Sequence, residues 1–194
     1  IRDGETAKIA VESSLTGHMV FSTLHTNNAA GAVPRLIDLG VNPKILASAL
    51  SLAIAQRLVR KLCVHCKIPR EVTEEEEKII RSILKNAESL GKDLAAYGVK
   101  ADQKIALWKA VGCEKCNQTG YKGRIGIYEA ILSSDSIIEI MPQNPSEDEI
   151  KAVASKQGIL DTKEDGIVKT VAGITSLEEV KKAVDIYEDI KDVE

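Results

Sequence analysis

Two cysteine pairs, "CVHC" at Cys63–Cys66 and "CEKC" at Cys113–Cys116, constrain this chain more than any other feature. A C-x2-C pair on a tight turn offers two thiolates to one ion. Two such pairs complete a tetrahedral set of four soft sulfurs with no open position, the pattern of structural Zn2+. Residues 67–112 lie between the pairs, longer than a compact zinc ribbon needs, so this insert has to form a lobe of its own. The spacing predicts a tetracysteine zinc-binding lobe over 61–121; the alternative is four buried or redox-active thiols. His65 sits inside the first knuckle, but four thiolates already satisfy the ion, and His65 is expected to be exposed. Cysteines used this way suit a reducing compartment better than disulfides would.

Arg60, Lys61, Lys67, Arg70, Lys115, Lys122 and Arg124 surround the cysteines, which keeps a nucleic-acid-binding zinc module open as a competing reading. Tyr97, Trp108 and Tyr121 are too scattered to give bases a stacking platform, and the net charge of −3 argues against coating a polyanion. Cationic side chains also have a local role beside a negatively charged zinc–thiolate centre. No nucleic-acid partner is expected. With 44% hydrophobic residues in 194, the chain can build one or two cores. Its longest apolar stretch, "ILASALSLAIAQRLV", is broken by Ser, Gln and Arg, so no transmembrane segment is expected. No basic-then-apolar leader opens the chain, and a soluble, cytosolic protein is expected. The opening "IRDGETAKIAVESS" has no initiator Met and reads as a start inside a domain.

Periodicity and caps predict the elements. "GETAKIAVESSL" reads as a helix with Asp3 as N-cap and Gly17 as stop. "HMVFSTLH" reads as a short buried strand. A helix from Thr26 or Asn27 to Leu39 follows, with a kink or restart expected at Pro34. "VNPKILASALSLAIAQRLVRKL" reads as a mostly apolar helix with Asn42 as cap and Pro43 in the first position. Helix, strand, helix, helix is the grammar of an α/β layer. In the insert, Thr73 and Glu76 form a capping-box pattern for a helix that ends at Gly91. Its first-turn glutamates, 74–77, suit the helix dipole and need no acidic partner. "YKGRIGIYEAIL" returns as a strand. The tail reads as three short helices, "EDEIKAVASKQ", "KEDGIVKTVA" and "LEEVKKAVDIYEDI", with capping boxes at Ser146–Glu149 and Thr175–Glu178 and ends at Gly158 and Gly173.

Two of three histidines flank the predicted strand, His18 before it and His25 after it. The carboxyl end of a parallel strand is where open α/β sheets bind ligands, and a following helix offers its amide-rich start to an anion. His25 there is either a donor to phosphate or a capping or core histidine. Asp3 and Glu5 stand where they could hold a metal ion or order a loop, although a helix start favours carboxylates anyway.

Taken together, "IRDGETAKIAVESSLTGHMVFSTLHTNNAAGAVPRLIDLGV", "IAQRLVRKLCVHC", "GCEKCNQTGYKGRIGIYE" and "KEDGIVKTVAGITSLEEV" resemble the secretion ATPases, the hexameric motors of type II secretion and type IV pilus assembly. The resemblance covers nearly the whole chain and is least clear from about 71 to 111. The tetracysteine element favours the assembly and secretion branch over the retraction motors. The implied fold is α/β: residues 1–60 as the C-terminal part of a RecA-like P-loop ATPase core, 61–121 as the zinc lobe, and 122–194 as a return strand with a C-terminal helical subdomain.

The resemblance further implies ATP with Mg2+ as cofactor, in addition to structural Zn2+. By motif, Arg2 and Asp3 end the Walker B strand and are followed by Glu5 and Thr6; His25, Asp3 and Glu5 are the catalytic candidates. "TGHMVFSTLHT" matches the family's His box, so His25 would contact the γ-phosphate, with His18 supporting the loop and Thr26 beside it. Gln56 and Arg57 match a segment near the nucleotide, and Cys63, Cys66, Cys113 and Cys116 match the metal ligands. The implied setting is a homo-hexamer on the cytoplasmic side of the cell membrane, peripheral to its inner face, working with inner-membrane platform proteins. No Gly-Lys-Ser/Thr loop occurs in the chain, so it is not expected to hydrolyse ATP by itself. The other reading is a zinc-stabilised docking module that binds platform partners without catalysis.

Overall fold

A computed structural model describes residues 1–186. Its contacts group the chain into two compact units, one of Ile1–Ala55 with Glu129–Ile159, the other of Gln56–Tyr128 with the chain from Leu160 onward. The mixture of helices and strands agrees with the expected α/β class. Residues 122–194, grouped together by sequence, are shared between the units.

The first unit is mostly helical. Helix α1 (Gly4–Leu15) starts where expected because the Asp3 carboxylate accepts the Thr6 amide at 2.9 Å, satisfying one of the donors a helix start leaves open. Helix α2 (Ala32–Asp38) begins later than Thr26 or Asn27. Pro34 therefore falls in its first turn, where an amide donor is not needed, and no kink or restart follows. Helix α3 (Pro43–Ala49) has the expected Asn42 cap, bonded to the Lys44 amide at 3.0 Å. Helices α5 (Asp135–Ile140) and α6 (Glu147–Ala154) complete this unit, the latter with the expected Ser146–Glu149 capping box. Ala7, Ala30, Val33, Leu36, Leu46, Ile137, Met141 and Ile150 form its core.

Two sequence expectations need correction here. "HMVFSTLH" is not a buried strand: residues 18–25 have no strand assignment, and Met19 and Phe21 are 83% and 88% exposed. An apolar run becomes a buried strand only where a sheet receives it, and among the described residues none pairs with this one. The helix expected over 43–62 stops at Ala49, and Leu52–Leu62 forms strand β1. Local apolar spacing tolerates either state. The partners of the β1 backbone decide it: the strand pairs along Tyr121–Leu132, and at its far end three more bonds hold it, the Leu62 amide donating to Ile174 O, the Arg60 amide to Glu179, and Thr175 Oγ1 to Arg60 O. These last three partners lie more than a hundred residues away, beyond the reach of periodicity.

β1 pairs with β4 (Tyr121–Leu132), the strand expected from "YKGRIGIYEAIL". A second two-stranded sheet joins β2 (Ile68–Arg70) to β3 (Leu107–Lys109), antiparallel with Pro69 opposite Trp108. In the second unit, α4 (Glu74–Ser89) has the full Thr73–Glu76 capping box and packs on α7 (Thr162–Val171), as does β3. Ile80, Leu84, Ala87, Leu107, Ile167, Val168, Leu177 and Val180 build that core. Helix α7 has its own capping box, Asp161 with Glu164, a D-x-x-E signature legible in the sequence. Helix α8 (Leu177–Ala183) has Ser176 at its cap, not a Thr175–Glu178 box: it begins one residue later than expected, and Thr175, outside the cap, donates its hydroxyl to Arg60 O. The third tail helix, expected to run on to residue 190, ends at Ala183, where Val184 turns extended; residues 187–190 of that expectation lie outside the described residues.

Arg60 forks onto Glu179 with contacts of 2.9 and 2.6 Å and lies 4.1 Å from the Tyr121 ring centre. The guanidinium holds the Glu179 carboxyl down at about 2. A depressed carboxyl contributes stability that is fully present above its unfolded value and lost as pH falls through its folded one. Acid titration of stability should therefore steepen from about pH 4.5 towards 2, and Glu179→Gln should flatten that segment when unfolding is followed by urea midpoint against pH.

Candidate functional site

The cysteine centre stands on two turns. In the first, the Cys66 and Lys67 amides both donate to Cys63 O, at 3.2 and 3.0 Å, leaving Val64 and His65 exposed at the tip. In the second, Glu114–Cys116 form a 3-10 turn, and Gly112 and Gly120 bring the flanking chain together. Both glycines have positive φ, and a Cβ would lie 2.6 Å from Gln118 O at one and 2.6 Å from the Ala110 Cβ at the other. The Cys63 amide donates to Gly120 O, tying one turn to the other.

These turns bring all four sulfurs within 4.8 Å of one another. Cys63 and Cys113 are 3.9 Å apart, Cys66 and Cys116 3.8 Å, and Cys113 and Cys116 3.7 Å. A tetrahedral ion with bonds of about 2.3 Å sets its sulfur ligands about 3.8 Å apart, so the four side chains fit one ion with little movement. Burial pushes the Cys66 thiol up to about 12. Burial pushes Cys116 the same way, but the amides of Cys113 and Gly120, each 3.2 Å from its sulfur, outweigh it and hold the thiol at about 6. Two backbone amides thus point at the Cys116 sulfur, an arrangement that favours its anionic form. His65 lies outside the cluster, as expected.

Lys67, which follows the first knuckle, shows a support that sequence spacing did not reveal. Its ammonium donates to Gly173 O at 2.7 Å and lies 4.6 Å from the Trp108 ring centre. The knuckle is thereby fastened to the turn between α7 and α8.

The other candidate residues fall in two places. Asp3 is engaged as a helix cap: Thr6 Oγ1 donates to the same carboxylate at 2.7 Å, and the Thr6 amide holds the Asp3 carboxyl below its usual range. Arg2, Glu5 and Thr6 are exposed around it. His18 is exposed, its Nδ1 3.2 Å from Thr16 Oγ1. His25 is exposed, and Thr26, half-buried, opens the loop that runs to α2. Gln56 and Arg57 are exposed on β1 in the second unit.

Among the described residues no helix is long and apolar enough to cross a membrane. The profile of the family described as "Type II/IV secretion system protein" matches residues 1–182. Over 180 residues, 93% of this chain, the sequence is 44% identical to the "Type IV pilus assembly ATPase PilB" of Thermus thermophilus, of which it spans 19%. It is 44% identical over an equal length to the "Type II secretion system protein E" of Aeromonas hydrophila, spanning 32% of that protein. The "Type II secretion system ATPase E" of Vibrio cholerae is 44% identical over 184 residues, 94% of this chain and 33% of the relative. The chain thus covers a fifth to a third of the length of these relatives. The match runs through both cysteine pairs and through the segment carrying His18 and His25, so this chain belongs to the Type II/IV secretion system protein family.

Proposed function

We propose that this chain is the C-terminal part of a RecA-like ATPase core, with a tetracysteine zinc lobe, in a protein that couples ATP hydrolysis to type IV pilus assembly or type II protein secretion. The observation that carries the reading is the family match across residues 1–182, together with relatives of both kinds at 44% identity. In the intact protein six copies form a ring at the cytoplasmic face of the membrane, working against platform proteins. Equal identity to a pilus ATPase and to a secretion ATPase favours neither cargo.

Each candidate has a role in that reading. Cys63, Cys66, Cys113 and Cys116 hold structural Zn2+, whose four bonds cross-link two turns distant in the chain. Bound magnesium would neutralise charge along the phosphates of the nucleotide during transfer. Asp3 and Glu5 hold or order the metal side of the site, with Arg2 and Thr6 beside them. Asp3 also caps α1, so the helix start and the acidic group move as one piece. His25, exposed and unencumbered by burial, donates to the γ-phosphate. His18, Thr26, Gln56 and Arg57 support the nucleotide. The chain contains no Gly-Lys-Ser/Thr loop and by itself does not hydrolyse ATP.

In the full-length protein His25→Ala should lower ATP turnover by about 100-fold, the size of losing one positioned donor to developing charge, while bound zinc per chain stays constant. Phosphate release and metal analysis on the same preparation check both halves. Unchanged turnover would remove His25 from the site, and a full-length protein that binds platform proteins without hydrolysing ATP would make the zinc-stabilised docking module the better description.

A further inference from the structure

The loop that follows His25 is held by two carboxylates from a part of the chain a hundred or more residues away. Glu129, in the second half of β4, accepts the Ala29 amide, and Glu147, at the start of α6, accepts from Asn28 Nδ2 at 2.5 Å. Asn28 in turn takes the Gly31 amide on its Oδ1 at 2.9 Å, so one side chain bridges Glu147 to the entry of α2. The approach is close: a Cβ on Gly31 would lie 3.3 Å from both Asn28 Oδ1 and Glu147 Oε2. From the inner side, Ala29 and Ala30 are 3% and 1% exposed, and Ala30 packs in the core of the first unit. Residues 28–31 are therefore gripped on both sides, while His25 three residues earlier stays exposed.

We infer that Glu129 and Glu147 are positioning residues that fix the 26–31 loop so that His25 meets the nucleotide phosphate without a search; this rests on the nucleotide role proposed above for His25. An imidazole on a free loop would lose conformational freedom on engaging its ligand, whereas one on a clamped loop is already ordered. Both carboxylates are engaged by the loop, Glu129 through the Ala29 amide and Glu147 through Asn28, and Lys151, 2.8 Å from Glu147 Oε1, offsets the charge of Glu147.

The test uses the full-length protein. Glu129→Ala and Glu147→Ala should each lower kcat for ATP hydrolysis about tenfold, with KM within about twofold, because they misplace a group that acts in the transition state. Glu147→Gln keeps an acceptor for Asn28 and should recover most of the rate, which also guards against a Glu129 variant that folds poorly. In a His25→Ala background neither alanine variant should slow the enzyme further, and exchange of the Ala29 amide should quicken about tenfold in Glu129→Ala. A loss of equal size with and without His25 would make the two residues general structural supports and overturn the inference. So would an unchanged kcat beside a slow His25→Ala enzyme. Should His25→Ala itself run at the wild-type rate, the nucleotide reading of His25 falls. Amide exchange then decides the clamp alone: faster exchange at Ala29 upholds it, and unchanged exchange overturns it.

Discussion

A strong chelator, or Cys→Ser at any one of Cys63, Cys66, Cys113 and Cys116, should release amide protection across residues 62–70 and 107–121 and lower the melting temperature of the second unit. Structural zinc contributes on the order of 10 kcal/mol to the fold of small metal-dependent modules, more than the few backbone bonds that join the two turns supply. The loss should nonetheless be local first. The core formed by Ile80, Leu84, Ile167, Leu177 and Val180 includes no cysteine, and α4 packs on α7 rather than on the knuckles. Far-UV ellipticity should therefore fall only partly, while exchange at the knuckles approaches that of an open chain. The Lys67 tie to Gly173 O predicts that the turn between α7 and α8 loosens along with the metal. Exchange mass spectrometry with and without chelator checks this directly; protection that ignores the chelator would mean that the four thiols hold no structural ion.

The next largest effect is expected from a buried ion pair. Lys169 is 1% exposed, and its ammonium donates to Asp165 at 2.5 Å and to Gly126 O at 2.9 Å, with the rings of Tyr97 and Tyr128 at 5.1 and 5.2 Å. The Tyr128 amide donates to the same Asp165 oxygen at 2.8 Å, so the pair also holds β4 to α7. Asp165→Ala would leave a buried ammonium facing one carbonyl, which costs about 3–5 kcal/mol. For a chain of this size that is a fall of roughly 10 °C in melting temperature. The double change Asp165→Leu with Lys169→Met removes both charges and should cost clearly less than either single change predicts, because no charge is stranded. Urea midpoints of the three proteins measure the coupling; a double variant no better than Asp165→Ala would show that packing, and not charge, governs this position.

Much of the local structure could be read from short stretches of chain. Asp3 capping α1, Asn42 with Pro43 starting α3, Thr73–Glu76 starting α4 and Ser146–Glu149 starting α6 all stand where their side chains put them. Capping is a contact between residues two or three apart, so the sequence contains the whole interaction. The misses have the opposite character. Leu52–Leu62 has helical apolar spacing, yet its backbone finds partners at Ile174, Thr175 and Glu179 and becomes a strand. "MVFSTL" has strand chemistry but meets no sheet among the described residues, and stays exposed. Asp165 and Lys169, four apart, resemble an ordinary surface pair on a helix; only the packing of Tyr97, Tyr128 and Gly126 around them makes the pair buried.

By itself, then, the sequence determined the family, the four metal-ligand candidates and most helix starts, since these depend on residue type at fixed short spacing. Tertiary structure alone decided that the four sulfurs lie within 4.8 Å of one another, that β1 is a strand, and that Glu129 and Glu147 grip the loop after His25. Those outcomes depend on pairs fifty to a hundred and more residues apart. Their free energy is gained only when distant groups meet out of water, and no local pattern in the chain encodes which ones will.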